Sequence, residues 1–400
     1  MQTDDKPSAN PGMDYPFYAW RIWGGMTLST WLRILARNRF AISPSRVPHA
    51  AFFTIQSAFN SILSLTQHLI FGKRIAKVQI EAPPLVIIGH WRTGTTYLHE
   101  LFSLDERFSV PTALECCAPG HFLLSGWLLR ILSFLLPGKR PMDNMPMSLD
   151  SPQEDEFSLL NLGFPSPYET MMFPNHRPVL HEFLNMSEVA QEQVEAWKKG
   201  LLRFLQLVNY RGKHHKELGA GSRRIVLKSP PHTARLRILR AMFPAAQFIH
   251  VVRHPCDVFA STVWLWRVMY AVEGFQIPQF NSLPNGVPSI GQYVLDTMDL
   301  LYRDFFTQTA QIPSYQFCEV RYEDLVRAPI VELEGIYRKL NLGTFGTVQG
   351  RLEAHVHKLK SYKRNRYQIS EEERTEVFRR WRWYMERYGY GNASSATQDT

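Results

Sequence analysis

Cysteine is scarce. Cys116, Cys117, Cys256 and Cys318 are the four in 400 residues, and no C-x-x-C pair occurs. That excludes a disulfide-stapled scaffold in a chain of this length and leaves no cysteine zinc site. Adjacent Cys116 and Cys117 read as small buried hydrophobes rather than a redox pair, which fits a reduced, cytoplasmic setting. Long clean apolar runs are missing as well. The stretch 47–72 has no Asp, Glu, Lys or Arg, but Gln56, Ser57, Asn60, Ser61, Ser64 and Gln67 interrupt it. The segment 121–138, HFLLSGWLLRILSFLLPG, is short and carries Arg130 in its middle, so no membrane-spanning helix is expected. The opening, MQTDDKPSANPG, is polar and acidic, unlike a secretory signal. No internal repeat or low-complexity block is visible. The formal charge of +9 calls for an anionic partner, yet Lys and Arg are scattered rather than massed in a run. That argues against nucleic acid and for a few concentrated phosphate sites.

What is present is a series of strand–loop–helix units. Beyond Pro83-Pro84, LVIIG is a short apolar run bounded by turn residues, the mark of a buried parallel strand, and TTYLHELFSLD has a helical period. A second unit runs over 223–244, with a strand at 225–227, a loop at 228–232 and Thr233 as expected N-cap of a helix ending near Pro244. A third follows in AQFIHVVRHP, whose strand ends at Arg253 and whose next helix has Pro255 in its first turn. Residues 315–325 supply a fourth strand, and Ser370 with Glu373 forms a capping box for a C-terminal helix. Strands alternating with helices predict an α/β fold with a doubly wound parallel sheet and ligands at the carboxyl ends of its strands.

The first loop, IIGHWRTGTTYL, is nearly a phosphate-binding Walker A loop. Gly89 and Gly94 have the G-x-x-x-x-G spacing, but Thr95 stands where the lysine belongs. Backbone N–H groups at a helix start bind an oxyanion regardless, and Arg92 inside the loop supplies the charge that Thr95 cannot. Arg253, at a strand end, and Ser261, eight residues later, could hold a second phosphate. A strand-end salt bridge and a self-bonded helical serine explain the same pair.

WRTGTTYL and RHPCDVFAS together resemble the paired loops of the sulfotransferase superfamily, PKSGTTW and R-x-P-x-D-x-x-x-S. RPMDNMP, SPQEDEF, LKSPPHTARL and RYEDL are similar to a bacterial branch of it, and the likeness spans 83–390. It implies a P-loop-like sulfotransferase fold and the donor 3′-phosphoadenosine 5′-phosphosulfate (PAPS), with no metal. By the same likeness Arg92, Thr93, Gly94, Thr95 and Thr96 would hold the 5′-phosphosulfate, and Arg253 and Ser261 the 3′-phosphate. A donor without a γ-phosphate or bound Mg²⁺ has no need of a P-loop lysine.

Sulfuryl transfer requires a cation at the leaving oxygen and a base for the attacking hydroxyl. Arg92 and Lys228 are the candidate cations. The histidine of the K-x-H seen in soluble relatives is absent, since the chain reads Lys228-Ser229-Pro230. Glu115, placed like a glutamate of the tyrosylprotein sulfotransferases, is the first candidate base. His121, His232, Asp143 and the Glu154-Asp155-Glu156 group follow; Ser151 to Glu154 reads as a capping box, which gives Glu154 a helix-capping role. In 359–370, Lys360, Lys363, Arg364 and Arg366 form either a nucleotide lid, as in related enzymes, or a solvated cluster.

Trp127, Leu128, Leu129, Ile131, Leu132, Phe134, Leu135 and Leu136, followed by Met142, Met145 and Met147, offer a large apolar surface. It suits a hydroxylated lipid, quinone or steroid-like acceptor, or simply core. A mycobacterial branch acting on a hydroxylated menaquinone is similar in these respects. Trp20, Trp23, Leu28, Trp31 and Leu35 recur at helical spacing among Arg21, Arg33, Arg37 and Arg39. That pattern fits either an interfacial helix at the inner face of a membrane or one packed on the catalytic domain. The expected layout is a disordered tail at 1–15, a helical extension at 16–80, the sulfotransferase domain at 83–390 and a second tail at 391–400. Two rival readings remain: a kinase or NTPase with a degenerate Walker A, and a non-catalytic relative that binds adenosine bisphosphate.

Overall fold

Alternation along the strands builds two apolar layers. In the computed structural model, which describes residues 21–135, 142, 145, 148–214, 223–280, 284, 286–359 and 367–390, the strands are β1 Leu85–Ile88, β2 Phe108–Ser109, β3 Arg224–Lys228, β4 Gln247–Val252 and β5 Phe317–Arg321. They form a parallel sheet in the order β2-β3-β1-β4-β5. Val86, Ile88, Leu227 and Phe248 point to one face, into a core with Trp266 and Met298. Leu85, Ile87, Val226 and Ile249 point to the other, against Leu98, Phe102 and Ile336. Both faces being covered, β1 is buried along its whole length, as its continuous apolar run requires. The expected doubly wound parallel sheet is therefore present. The two-residue edge strand β2 is too short to leave a sequence signal.

The helices that matter below are α1 Leu28–Arg37, α2 Val47–Ala76, α3 Thr95–Ser103, α4 Ala113–Cys117, α5 Phe122–Ile131, α6 Asp155–Asn161, α7 Gln191–His214, α8 Leu236–Met242, α9 Pro255–Glu273 and α10 Ile290–Tyr302. Trp23 and Trp31 are completely buried. Trp31 packs edge-on against Phe53 of α2 at 4.9 Å and tilted against Phe275 at 4.5 Å, while Trp23 Nε1 donates to Glu273 O at 3.0 Å. The tryptophan stripe thus faces the protein, and the N-terminal helices share the core of one sheet face. Trp20, Leu136, Asp143, Met147, Lys360, Lys363, Arg364, Arg366 and the two expected tails lie outside the described residues.

Two local expectations change. Thr233 is not an N-cap: it sits in a 3₁₀ turn, Pro230–Ala234, and α8 begins at Leu236. Its hydroxyl instead accepts from Gly89 N at 2.8 Å and donates to Gly89 O at 3.1 Å, clamping the end of β1. The capping box expected at Ser151–Glu154 does not form; Glu154 is itself the N-cap of α6, and its side chain makes no capping bond. All four cysteines are buried, and none forms a disulfide.

Candidate functional site

Three adjacent strands, β3, β1 and β4, end at one crevice, the topological switch point of the sheet. Lys228 closes β3, the glycine loop 89–94 leaves β1, and Arg253 follows β4. A cleft of about 720 Å³ opens there.

Its polar wall is made by the loop and its neighbours. Gly94 caps α3 at φ +102, and the first turn of α3 holds no acidic residue that would oppose an anion at its N–H groups. Arg92 is held at φ +68, unusual for a residue with a side chain. Its Nε donates to Ser261 Oγ at 2.9 Å, and its carbonyl accepts from Arg253 Nη1 at 3.0 Å. Arg253 also lies over the Tyr322 ring at 4.4 Å. The two arginines and the serine, 169 positions apart at the extremes, are therefore one cluster. Arg92, Gly94, Thr95, Thr96, Arg253 and Ser261 all line the cleft. Thr93 is buried beneath it, its hydroxyl donating to His90 O at 2.8 Å.

Lys228 sits on the other side of the loop. Its side chain is 3% exposed, and Nζ donates to Glu154 Oε1 at 2.7 Å and to Thr96 Oγ1 at 3.3 Å. Glu154 lines the cleft, and its second oxygen accepts from Tyr168 OH at 2.5 Å. Tyr168 OH in turn accepts from Trp91 Nε1 at 3.0 Å. Burial, first, and the neighbouring Glu154 charge push the Tyr168 phenol well above its usual range, so it donates and does not ionise.

The other acids of the cluster serve the framework. Asp155 is fully buried and meets His232 Nε2 at 2.7 Å and the Ser229 hydroxyl at 3.0 Å. Burial alone would raise its pKa, but His232 and Ser229 outweigh it and the carboxyl lies below its ordinary value. Glu156 pairs with Arg235 at 2.6 Å, both completely buried. These contacts fix the turn that follows Lys228.

Glu115 is not brought to the cleft. It occupies the N3 position of a capping box, Oε2 accepting from Thr112 N and Oγ1 at 2.9 Å, and its other oxygen pairs with Arg211 on α7 at 3.0 Å. Burial raises its pKa against the pull of Arg211. His121 bonds Ser125 at 2.7 Å and is held to about pKa 4 by burial; neither it nor His232 lines the cleft. The signal for Glu115 lay in Thr112-x-x-Glu115, itself a capping box. For Glu154 the local signal, Ser151-x-x-Glu154, pointed to a cap, because the partners that place it at the cleft lie on other elements.

The remaining wall is apolar: Met142, Met145, Phe157, Met171, Leu265 and Met269. Glu273 interrupts it, fully buried, accepting from Ile22 N at 3.3 Å, with its pKa raised by burial to about 7. Leu359 and Tyr367, which flank the basic segment carrying Lys363, Arg364 and Arg366, border the cleft as well.

A parallel α/β sheet with a glycine loop and an arginine cluster at its switch point defines a P-loop-like α/β fold. The chain belongs to the sulfotransferase family, whose profile matches residues 83–345. Over 369 residues it is 41% identical to the omega-hydroxy-beta-dihydromenaquinone-9 sulfotransferase Stf3 of Mycobacterium bovis and to that of Mycobacterium tuberculosis, covering 92% of this chain and 91% of each relative. The fold is similar to the crystal structures of sulfotransferase STF9 from Mycobacterium avium (TM-score 0.60, 17% identity, 91% of this chain and 96% of that one) and STF1 from M. tuberculosis (TM-score 0.60, 19% identity, 88% and 90%). The protein is a sulfotransferase.

Proposed function

We propose that the chain moves a sulfuryl group from PAPS to a hydroxyl of a menaquinone-type lipid, and that Lys228 and Glu154 are the catalytic pair. The observation that carries this reading is their contact at 2.7 Å, with Glu154 lining the cleft and Lys228 bonded to Thr96 of the glycine loop's helix. The residues fit a doubly anionic adenosine: two arginines share one wall, and Arg253 Nε is a buried donor with no hydrogen-bond partner among the described residues. PAPS supplies the activated sulfuryl group when bound.

Arg92, Arg253 and Ser261 would together hold the 3′-phosphate, which moves Arg92 away from the bridging role that its place in the loop had implied. Gly94, Thr95 and Thr96 would seat the 5′-phosphosulfate on the N-terminus of α3. Lys228 Nζ would meet the charge that builds on the bridging oxygen as its bond to sulfur breaks. Glu154 would take the proton of the acceptor hydroxyl as the new oxygen–sulfur bond forms, with Tyr168 fixing the carboxylate by donating to its other oxygen. The methionine-rich wall would take the apolar acceptor. The layout of helical extension at 16–80 and catalytic domain at 83–390 belongs to the same proposal, as does a lid carrying Lys363, Arg364 and Arg366.

The test is incubation with labelled PAPS and an omega-hydroxylated dihydromenaquinone, followed by mass spectrometry for one added sulfuryl group. Transfer to the quinone is expected. Binding of adenosine 3′,5′-bisphosphate without transfer to it would overturn the acceptor, and no binding of the bisphosphate would overturn the donor.

A further inference from the structure

Helix α2 is built inside out. Its polar side chains face the protein: Asn60 Nδ2 donates to Gly24 O at 2.7 Å and Met26 O at 3.0 Å, and Ser61 Oγ accepts from Leu28 N at 2.9 Å. Gln67 donates to Pro119 O at 3.3 Å and accepts from Leu123 N at 2.8 Å, tying α2 to the start of α5. Phe53 and Ile75 are buried, but most of the large apolar side chains face away. Phe52, Ile55, Phe59, Ile62, Leu65 and Leu69 follow one another at spacings of three and four, each between 43% and 73% exposed. A helix bordering water carries the opposite arrangement, and singly scattered apolar residues do not make such a stripe.

The same character continues on α5 and the turn after it, where Trp127, Ile131 and Phe134 are 65%, 62% and 75% exposed. Charge points the same way. Residues 21–80 contain no Asp or Glu, whereas Lys73, Arg74 and Lys77 stand exposed at the end of α2, and Arg33 and Arg39 are exposed on and just after α1. A second copy seated on this face would set these cations against their own kind, whereas an anionic lipid surface complements them. No helix among the described residues is long and apolar enough to cross a membrane.

We propose that the outward faces of α2 and α5 dock on an anionic lipid bilayer, lying in the boundary between headgroups and acyl chains with α2 parallel to the surface. Basic side chains at the edge of the stripe meet the headgroups, and Trp127 takes the interfacial position that suits indole. The docked face adjoins the cleft. Arg130 of α5 donates to Asp150 at 2.9 Å, and Asp150 lines the cleft. A lipid acceptor could therefore pass from bilayer to cleft without crossing water; that consequence rests on the acceptor proposed above, but the docking does not.

The experiment is flotation of the full chain with vesicles of phosphatidylcholine with and without phosphatidylglycerol, alongside the triple variant Ile55→Glu, Ile62→Glu, Leu69→Glu. The wild type is expected to float with the anionic vesicles and the variant to bind about tenfold more weakly or worse. Unchanged melting temperature and adenosine 3′,5′-bisphosphate affinity would show that the variant is folded. In a second readout, brominated-chain lipids should quench tryptophan emission in the wild type and quench it less in Trp127→Phe. Equal flotation of wild type and variant, or none by either, overturns the proposal. So does a wild-type dimer that the three glutamates dissociate without any vesicle binding, which would make the face a contact between copies. Flotation is read without any acceptor, so failure of the quinone reading leaves this result standing.

Discussion

Lys228 and Glu154 are 74 positions apart in the chain and meet at 2.7 Å, Nζ to Oε1, with Glu154 lining the cleft. The lysine is 3% and the glutamate 13% exposed, so the pair works where water screens it little. Removing either member leaves the other without this partner in a poorly solvated place, and on the proposed mechanism catalysis needs both.

Lys228→Ala should lower kcat by about 10²–10³-fold, as expected for loss of one charge-stabilising donor, with little change in donor KM. Glu154→Gln keeps the shape and should cost about 10²–10⁴-fold in kcat, the span of general-base catalysis. The double variant should be no slower than the worse single one, because the residues act as a unit. Steady-state kinetics of all three decide the matter, and independent, multiplying losses would contradict a shared role.

Arg253→Ala and Arg92→Ala should act on the donor rather than on the chemical step. A lost charge-assisted hydrogen bond of about 1.5–3 kcal/mol corresponds to roughly 10–150-fold weaker binding. Calorimetry with adenosine 3′,5′-bisphosphate measures this directly. Because Arg92 Nε is seated on Ser261 Oγ, Arg92→Ala combined with Ser261→Ala should lose less than the sum of the two. Loss of kcat at unchanged donor affinity in Arg92→Ala would instead return that residue to the bridging oxygen.

How much of this could be read from residue order follows from how local each signal is. The glycine loop, Arg253, Ser261 and the strand before each are short-range patterns, and all appear in the structure where their spacing puts them. Lys228 closes a strand that its apolar neighbours mark. Glu154 was legible first as a cap and only behind other candidates as a base, because the contacts that place it in the cleft come from Lys228 and Tyr168, on other elements. Glu115 erred the other way: a spacing borrowed from relatives outweighed Thr112, three residues before it, which takes up one carboxylate oxygen. The tryptophan stripe had the period of an interfacial helix, but period alone does not say which face meets the core. Phe53 and Phe275 settled that for Trp31.

Glu273 should make stability fall with rising pH. Burial raises its pKa from 4.5 to about 7, so the folded chain keeps a proton that the unfolded chain has released. Folding takes up that proton between the two values, and the stabilising preference for the protonated form is complete below pH 4.5 and lost as pH rises through about 7. The total loss is about 3 kcal/mol at 1.36 kcal/mol per pH unit. Glu273→Gln should therefore overtake the wild type in melting temperature as pH is raised from 5 to 8, and parallel curves would exclude this carboxyl as the source.

Gly94 joins the cradle to the arginine cluster through Tyr322. At φ +102 the position favours glycine, and a Cβ there would lie 2.3 Å from Tyr322 Cδ2. Tyr322 is the ring beneath Arg253, 4.4 Å from its guanidinium carbon. Gly94→Ala should therefore do two separable things. The strained backbone should cost about 1–3 kcal/mol of stability, read from denaturant unfolding. The displaced ring should carry Arg253 with it and weaken adenosine 3′,5′-bisphosphate binding even where the protein is fully folded. Adding Tyr322→Ala removes the clash but not the backbone strain, so stability should recover only in part, while binding stays weak for want of the ring. If Gly94→Ala bound the bisphosphate as tightly as wild type, the ring would not couple the loop to Arg253, and the cradle and the cluster would have to be treated as independent sites.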